Sequence, residues 1–410
     1  MTASIPEIYV LWHPMCRDGE ALARRIYEWL RPGSGLGPEV FFRSLPAPDA
    51  PPGGLPPPLA GESRAGAPPS MAANRWQIVV LLIDAHMISD PAWRNWLHVL
   101  ATRTGRGTRD LLPVALDDTA YNVPERLRAL NFMRPTATAA AGIDGIVRSL
   151  LIQLTETLCR MLLTHFRPIP VRGAAGTGNE ADRAKLTIFL SHAKADGTGP
   201  ARRIRDYIYG KTQLAAFYDE NDIPFGSGFS RVLQRAIAGD NTAALIAVRS
   251  ARYADRPWCR REISSFRVPL ADPVPGRLGR HWHLNPVLVV DALDGGAVTS
   301  GIPELGNAPV VRWSDEVSEQ EERIVTMVLR DTMLTAFHRA LGRTMPDDRA
   351  SIVLDWVPDL ATLLCIPEVR ARRRALTVYY PGRGLSLLEL NMLEDHFPRL
   401  TFRSFERAET

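Results

Sequence analysis

The stretch Thr187-Ile-Phe-Leu-Ser-His-Ala-Lys-Ala-Asp196 joins a short apolar run to a polar loop that starts at Ser191. Such a run, closed by polar residues, predicts a buried strand at Leu186–Leu190. Apolar and amphipathic runs then alternate, as helix Ala201–Tyr209, strand Leu214–Tyr218, helix Phe229–Ala238, strand Ala243–Val248, helix Trp258–Phe266, strand Pro286–Asp291 and helix Glu319–Leu341. Strands that alternate with helices predict βαβ units and a parallel, doubly wound sheet.

The preceding segment shows the same alternation. Its predicted elements are strand Glu7–Leu11, helix Glu20–Leu30, strand Val40–Arg43, strand Ile78–Asp84, helix Ala92–Thr102, strand Leu112–Leu116 and a helix around Gly145–Leu163. Short motifs recur in both segments in the same order, as Asp18-Gly19 with Ala23-Arg-Arg-Ile26 and Asp196-Gly197 with Ala201-Arg-Arg-Ile204, then Asp90-Pro-Ala-Trp93 and Asp255-Arg-Pro-Trp258. This recurrence predicts a duplicated module. The alternative is a pair of unrelated α/β units that share an arginine-rich helix.

Segments rich in glycine and proline divide the chain. Residues 46–70 contain nine Pro and four Gly in 25 positions, which predicts an exposed loop inserted in the first copy. Residues 167–183 have the composition of a linker. The predicted fold class is α/β, with two tandem flavodoxin-like parallel-sheet domains at 1–166 and 184–342. A C-terminal βαβ extension at 349–410 follows, with strand Ala375–Tyr380, helix Ser386–His396 and strand Leu400–Phe405.

Charge and cysteine content exclude several classes of protein. The 410 residues include 49 Lys plus Arg and 45 Asp plus Glu, and a net charge of +4 argues against nucleic-acid binding. The four cysteines lack the paired spacing of a zinc site or of a disulfide framework. The first residues do not have the pattern of a signal peptide, and the apolar runs are too short to span a membrane. We therefore expect a cytoplasmic protein with no metal and no membrane partner.

Three motifs in residues 184–341 resemble those of TIR (Toll/interleukin-1 receptor) domains, especially bacterial ones. Thr187–Asp196 resembles the opening strand and first loop of the family, and Phe217–Gly226 is similar to its second strand and BB loop. Ser250–Ile263 resembles its Trp-Cys-x-x-Glu helix. Because the three motifs occur in the family's order, the segment is identified as a TIR domain. The N-terminal copy resembles the family only through the repeat, as a degenerate TIR-like domain.

The resemblance implies an NAD glycohydrolase, which acts on NAD as a substrate and needs no cofactor. In catalytic TIR domains the glutamate of this helix is essential for cleaving the nicotinamide–ribose bond, and Glu262 occupies that position here. The substrate-binding residues expected around it are Ser191, His192, Tyr218, Asp219, Asp222, Phe225 and Trp258. The alternative for Glu262 is a solvated carboxylate on the helix surface, and other interpretations also remain for three of the binding residues. In these interpretations, Trp258 packs between helix and sheet, His192 forms hydrogen bonds or packs, and Phe225 contacts a partner.

A single carboxylate is chemically sufficient for this reaction. Nicotinamide leaves as a neutral molecule, so cleavage needs little acid catalysis. The barrier falls when a fixed carboxylate stabilises the oxocarbenium-like ribose in a partly dry cleft. In open α/β sheets that cleft lies beyond the carboxyl ends of the strands.

The resemblance also implies a biological setting, bacterial immune (antiphage) defence. There, loss of NAD stops the infected cell, or a cyclised ADP-ribose acts as a signal, and TIR domains self-associate. The contact expected for self-association is Asp222–Phe229. Two alternatives remain open. One is a non-enzymatic TIR scaffold that signals through homotypic TIR–TIR assembly, and the other is a nucleoside- or nucleotide-modifying transferase with a similar sheet.

The two ends of the chain have separate predictions. The N-terminal copy has Leu97 where the second has Glu262, and Trp12-His13 where the second has Ser191-His192. We therefore expect a pseudo-domain that binds partners or regulates. For residues 349–410 we expect either the start of a further Rossmann-like module in a longer protein or an extra edge on a TIR sheet.

Overall fold

A computed structural model describes residues 5–31, 37–46, 55–57, 59, 76–102, 109–136, 142–165, 185–218, 242–272, 274, 276–293, 301–371, 374–382 and 384–407. The chain divides into two compact units, Met1–Leu154 and Thr155–Thr410. The division differs from the predicted one, because it falls inside a long helix rather than in the linker 167–183, which lies outside the described residues. Both units are mixed α/β structures with parallel sheets, as predicted.

The first unit has a parallel sheet with the strand order β2-β1-β3-β4. Its strands are β1 Pro6–Trp12, β2 Glu39–Arg43, β3 Trp76–Ile83 and β4 Arg109–Ala115. Its helices are α1 Gly19–Leu30, α2 Ala85–Ser89, α3 Pro91–Thr102, α4 Glu125–Arg128 and the start of α5 Gly142–His165. Every residue of β1 and β3 is buried, as expected for central strands that helices cover on both faces.

The second unit contains a central sheet with the order β11-β10-β7-β5-β6. Its strands are β5 Thr187–His192, β6 Ala215–Tyr218, β7 Thr242–Arg249, β10 Val287–Asp291 and β11 Val310–Arg312. Its helices are α6 Thr198–Lys211, α7 Pro257–Phe266 and α8 Gln320–Gly342. The predicted helix Phe229–Ala238 lies outside the described residues. The order β6-β5-β7-β10 corresponds to β2-β1-β3-β4 of the first unit, so the two sheets share the topology of four strands.

Two arrangements were predicted for residues 349–410, and among the described residues the structure does not have one of them, an extra edge on the central sheet. The C-terminal segment forms a sheet of its own, with the order β14-β13-β12-β9-β8. The strands are β8 Leu270–Ala271, β9 Arg280–His283, β12 Ser351–Leu354, β13 Leu376–Tyr380 and β14 Leu400–Ser404. The helices are α9 Leu360–Cys365, α10 Pro367–Ala371 and α11 Leu387–His396. Two of these strands, β8 and β9, therefore come from the segment 184–342 that was predicted to form the TIR domain alone.

The C-terminal sheet and the central sheet are joined at the end of β9. The buried carboxylate of Asp355, just beyond β12, accepts hydrogen bonds from the Leu284 amide at 3.0 Å and faces His283 Nδ1 at 2.5 Å. Three residues after β9 the chain enters β10 of the central sheet. The apolar core between β12–β14 and their helices runs from Ile352 to Phe402, and Trp282 of β9 packs against it. The extension thus has its own core and still depends on strands from the preceding segment.

Helices α5 and α8 also hold the second unit together. The Cys159 thiol of α5 donates a hydrogen bond to the Leu329 carbonyl of α8 at 3.1 Å, which explains why the end of α5 belongs to this unit. At its other end α8 reaches the C-terminal sheet. Among the helices that the structure describes, none combines the length and the apolar composition that a membrane span requires.

We expect Gly342→Ala to destabilise the second unit. A Cβ at Gly342 would lie 2.8 Å from Cγ1 of Val353, a stiff β-branched side chain in a buried strand. Such overpacking typically costs about 1–3 kcal/mol of the free energy of unfolding. Gly210→Ala, in helix α6, is the matched control, because its Cβ would meet nothing within 4 Å. Ala at a helix position typically gains about 0.5–1 kcal/mol over Gly.

Thermal unfolding followed by circular dichroism measures both variants. The expected result is a lower melting temperature for Gly342→Ala and an equal or higher one for Gly210→Ala. Equal stabilisation by the two substitutions would contradict the close packing of α8 on β12.

Candidate functional site

The central sheet changes the direction of its connections between β5 and β7. From β5 the chain passes through α6 to β6 on one side, and from β7 it passes through α7 to β10 on the other. A crevice forms beyond the carboxyl ends of two neighbouring strands at such a point, and ligands of open α/β sheets bind there. His192 ends β5 at this crevice, and Ser250 follows β7. The salt bridge between Arg249 and Asp291, 2.7 Å long, joins β7 to β10 at the same edge.

Helix α7 carries Glu262 on the face that packs against the sheet. The helix begins at Pro257, a residue whose fixed φ suits the first helical position. Its buried residues are Cys259, Glu262, Ile263 and Phe266, which recur at helical spacing. Glu262 is 5% exposed. An ionised carboxylate is costly to bury without hydrogen-bond donors, so its partners determine whether it can remain charged.

Two hydroxyl groups connect to Glu262 in a chain. The Ser191 hydroxyl, at the end of β5, donates a hydrogen bond to Glu262 Oε2. The Tyr253 hydroxyl lies 2.6 Å from Ser191 Oγ. Tyr253 is fully buried, and burial raises its pKa well above the usual value; Cys259 and Glu262 raise the pKa further, and the hydrogen bond to Ser191 partly opposes them. Tyr253 therefore keeps its proton throughout the neutral range.

Asp196 fixes the two loops that border this chain of hydroxyls. Its carboxylate accepts a hydrogen bond from the Ser250 hydroxyl at 2.6 Å and from the Arg252 amide at 2.9 Å. The Cys259 thiol donates to the His192 carbonyl at 3.5 Å. The loop after β5 is thereby tied both to the loop after β7 and to helix α7. The motif residue Asp196 thus positions backbone at the rim of the crevice.

The structure places four of the predicted substrate-binding residues. Ser191 contacts Glu262, and the next residue, His192, is 6% exposed. Trp258 is 49% exposed, and the Arg261 guanidinium lies 5.5 Å from its ring centroid. The interpretation of Trp258 as packed between helix and sheet is therefore wrong. Tyr218 ends β6, where its backbone pairs with Leu190 of β5.

The remaining predicted residues, Asp219, Asp222 and Phe225, lie outside the described residues, as does the predicted assembly contact Asp222–Phe229. Tyr253 lies within the third TIR-like motif but is not among the predicted site residues. A tyrosine in a loop between strand and helix gives no local signal that its hydroxyl points toward a serine 62 positions earlier. Across the described ranges, no group of three or more His, Cys, Asp or Glu residues is arranged to hold a metal ion.

The corresponding edge of the first unit has different side chains. Leu97, which matches Glu262 in the repeat, is fully buried, and Trp93 is 1% exposed. Beyond β3, His86 Nδ1 donates to the Asp84 carboxylate at 2.9 Å. Asp84 also caps helix α2 by accepting from the Met87 amide. The first unit therefore has no carboxylate at the position of Glu262.

Comparison with known proteins identifies the central domain. A family model described as the TIR domain matches residues 188–298. Residues 188–298 are thus similar to TIR domains. The match includes β5, β7, β10 and helix α7, and so it includes Ser191, Tyr253 and Glu262.

Two solved structures show weaker similarity. The TIR domains of the activated Roq1 resistosome directly recognizing the pathogen effector XopQ align with 16% identity and a TM-score of 0.22, over 37% of this chain and 84% of that one. The C-terminal domain of glucosamine-fructose-6-phosphate aminotransferase from Francisella tularensis aligns with 10% identity and a TM-score of 0.17, over 84% of this chain and 86% of that one. No curated protein matches the chain.

The two repeat tryptophans should respond differently to truncation. Trp93 is 1% exposed within the core of the first unit, so Trp93→Ala should cost about 3–5 kcal/mol of the free energy of unfolding. Trp258 is half-exposed, so Trp258→Ala should cost less than about 1 kcal/mol. Urea unfolding followed by far-UV circular dichroism measures both. A Trp258→Ala variant that loses as much stability as Trp93→Ala would show that Trp258 belongs to a core.

Proposed function

We propose that the TIR domain is an NAD glycohydrolase that cleaves the nicotinamide–ribose bond with Glu262 as its catalytic carboxylate. The observation that carries the proposal is the placement of a buried glutamate at the point where the sheet's connections diverge, held there by the Ser191 hydroxyl. The family match at 188–298 supports it, because TIR domains can be NADases. NAD is the substrate in this proposal, and the reaction needs no cofactor.

The residues at the crevice suit a reaction in which positive charge develops on ribose. Nicotinamide leaves as a neutral ring, so the bond breaks without a general acid. The electron pair of the C1′–N bond leaves with nicotinamide, so positive charge develops at C1′. The Glu262 carboxylate stabilises this oxocarbenium-like centre in a site largely closed to water. Water attack at C1′ then yields ADP-ribose, and attack by a ring nitrogen of the same molecule yields its cyclic form. Both outcomes use the same carboxylate.

A second candidate function is a non-enzymatic TIR scaffold. Trp258 and Arg261 form an exposed cation–π pair on α7, and Trp258 lies one turn before Glu262. Exposed tryptophan and arginine are the residue types that most often dominate protein–protein contacts. Self-association through this surface would transmit a signal without NAD cleavage. For either function we propose a role in bacterial antiphage defence, in the cytoplasm.

Substitutions at the matching positions of the two repeat copies should affect NAD turnover differently. Glu262→Gln keeps the size of the side chain but removes its charge, so NAD turnover should fall by about 10²–10³-fold. Leu97→Ala changes the matching position of the first unit and should retain turnover, because leucine cannot stabilise positive charge. Glu304→Gln is a second control. Glu304 lies outside α7 and forms a 2.7 Å salt bridge with Arg260, an exposed residue of that helix.

A fluorescent NAD analogue, incubated with concentrated protein, measures turnover in all variants. Turnover by purified Glu262→Gln equal to that of the wild type would remove Glu262 from the mechanism. No turnover by the wild type, dispersed or assembled, would favour the scaffold. Light scattering on the same samples reports which state of assembly is present.

A further inference from the structure

We propose that Tyr253 is a positioning residue for Glu262 and acts through the Ser191 hydroxyl. Tyr253, Ser191 and Glu262 are called the relay below. The kinetic consequence of the relay rests on the proposed function, whereas its effect on the carboxylate does not.

The hydrogen bonds of the relay run in one direction. An ionised carboxylate only accepts hydrogen bonds, and a serine hydroxyl has a single proton to donate. Because Ser191 donates that proton to Glu262 Oε2, its oxygen must accept from Tyr253, 2.6 Å away. Each bond of such a chain polarises the next, so the tyrosine strengthens the bond that Ser191 makes to the carboxylate. The relay therefore favours the charged form of Glu262 and fixes Oε2 in space.

The position of Tyr253 is set by a tight turn between β7 and α7. Its amide donates to the Ser250 carbonyl at 3.1 Å, and its carbonyl accepts from the Arg256 amide at 3.2 Å. The ring is fully buried in the apolar core that α7 forms with the sheet. A hydroxyl buried this deeply needs a protein partner, and Ser191 provides it. Tyr253 has no exposed surface with which to touch a substrate.

The first unit lacks all three members of the relay. Trp12 precedes His13 as Ser191 precedes His192, Ile88 lies two residues before Asp90 as Tyr253 lies before Asp255, and Leu97 follows Trp93 by four residues as Glu262 follows Trp258. The three replacements are apolar, and each is at most 9% exposed. A buried polar network with one member missing is less stable than an apolar core. If the three residues of the relay work together, all three should be replaced together, as they are in the first unit.

Removing the Tyr253 hydroxyl should raise the proton affinity of Glu262. Among the described residues, titratable groups near the relay include His192 after β5, Asp196 in the next loop and Cys259 on helix α7. None of these changes in Tyr253→Phe, which deletes only the hydroxyl. A carboxylate that loses part of its hydrogen bonding holds its proton to higher pH. We expect the titration midpoint of Glu262 to rise by about one pH unit, a tenfold change in proton affinity.

The test is a ¹³C NMR titration of the protein labelled at glutamate side-chain carboxyls. The Glu262 signal is identified by its absence in Glu262→Gln. Tyr9→Phe is the matched control, because the Tyr9 hydroxyl is equally buried and donates to a glutamate, Glu7, in the other unit. The midpoint should rise in Tyr253→Phe and stay unchanged in Tyr9→Phe. Should Tyr253→Phe not fold, Ser191→Ala breaks the relay at its middle and should raise the midpoint further.

The kinetic readout is the pH profile of NAD cleavage by the same variants. Its acidic limb should move to higher pH in Tyr253→Phe, by the amount seen in the titration, with little change in KM. An unchanged Glu262 midpoint in folded Tyr253→Phe or Ser191→Ala would overturn the relay, whether or not NAD is cleaved. A wild type that does not cleave NAD would instead overturn the proposed function, and the titration would still decide the relay.

Discussion

Burial of the Glu262 carboxylate constrains the whole central domain. The carboxylate lies between helix α7 and the sheet, where an unpartnered charge would cost several kcal/mol. The Ser191 hydroxyl at the end of β5 donates to it, and the turn after β7 brings the Tyr253 hydroxyl to Ser191. Both contacts depend on β5 and β7 being neighbours in the sheet. The topology, the turn and the site chemistry thus meet at the same buried carboxylate.

Much of this architecture is predictable from local sequence pattern. The central strands of both units are continuous apolar runs bounded by polar residues, as in Ile78–Ile83, and this pattern predicts buried strands. Glu262 is predictable because its helix carries a motif within a few residues of sequence. The contact between the Tyr253 and Ser191 hydroxyls, in contrast, is not predictable from local sequence. The hydroxyl of Tyr253 and that of Ser191 belong to different elements, and only the folded sheet brings them together.

The C-terminal sheet was missed for a related reason. Strand β9, Arg280–His283, is short and polar, and β8 has only two residues, so neither has a strand pattern. Strand β9 forms because β12 offers a pairing edge and Asp355 binds the chain just beyond β9, and β8 then pairs with β9. The predicted docking of this segment on the edge of the TIR sheet failed because those contacts are long-range. A tertiary partner, rather than propensity, determines their structure.

Cleavage of the nicotinamide–ribose bond of NAD by the domain that carries Glu262 is the central proposal. Proton NMR of unmodified NAD, incubated with wild-type protein at dilute and at high concentration, tests it most directly. The account predicts that free nicotinamide appears together with an equal amount of ADP-ribose or its cyclic form. NAD that persists unchanged at both concentrations, with the protein folded and its assembly verified by light scattering, would contradict it.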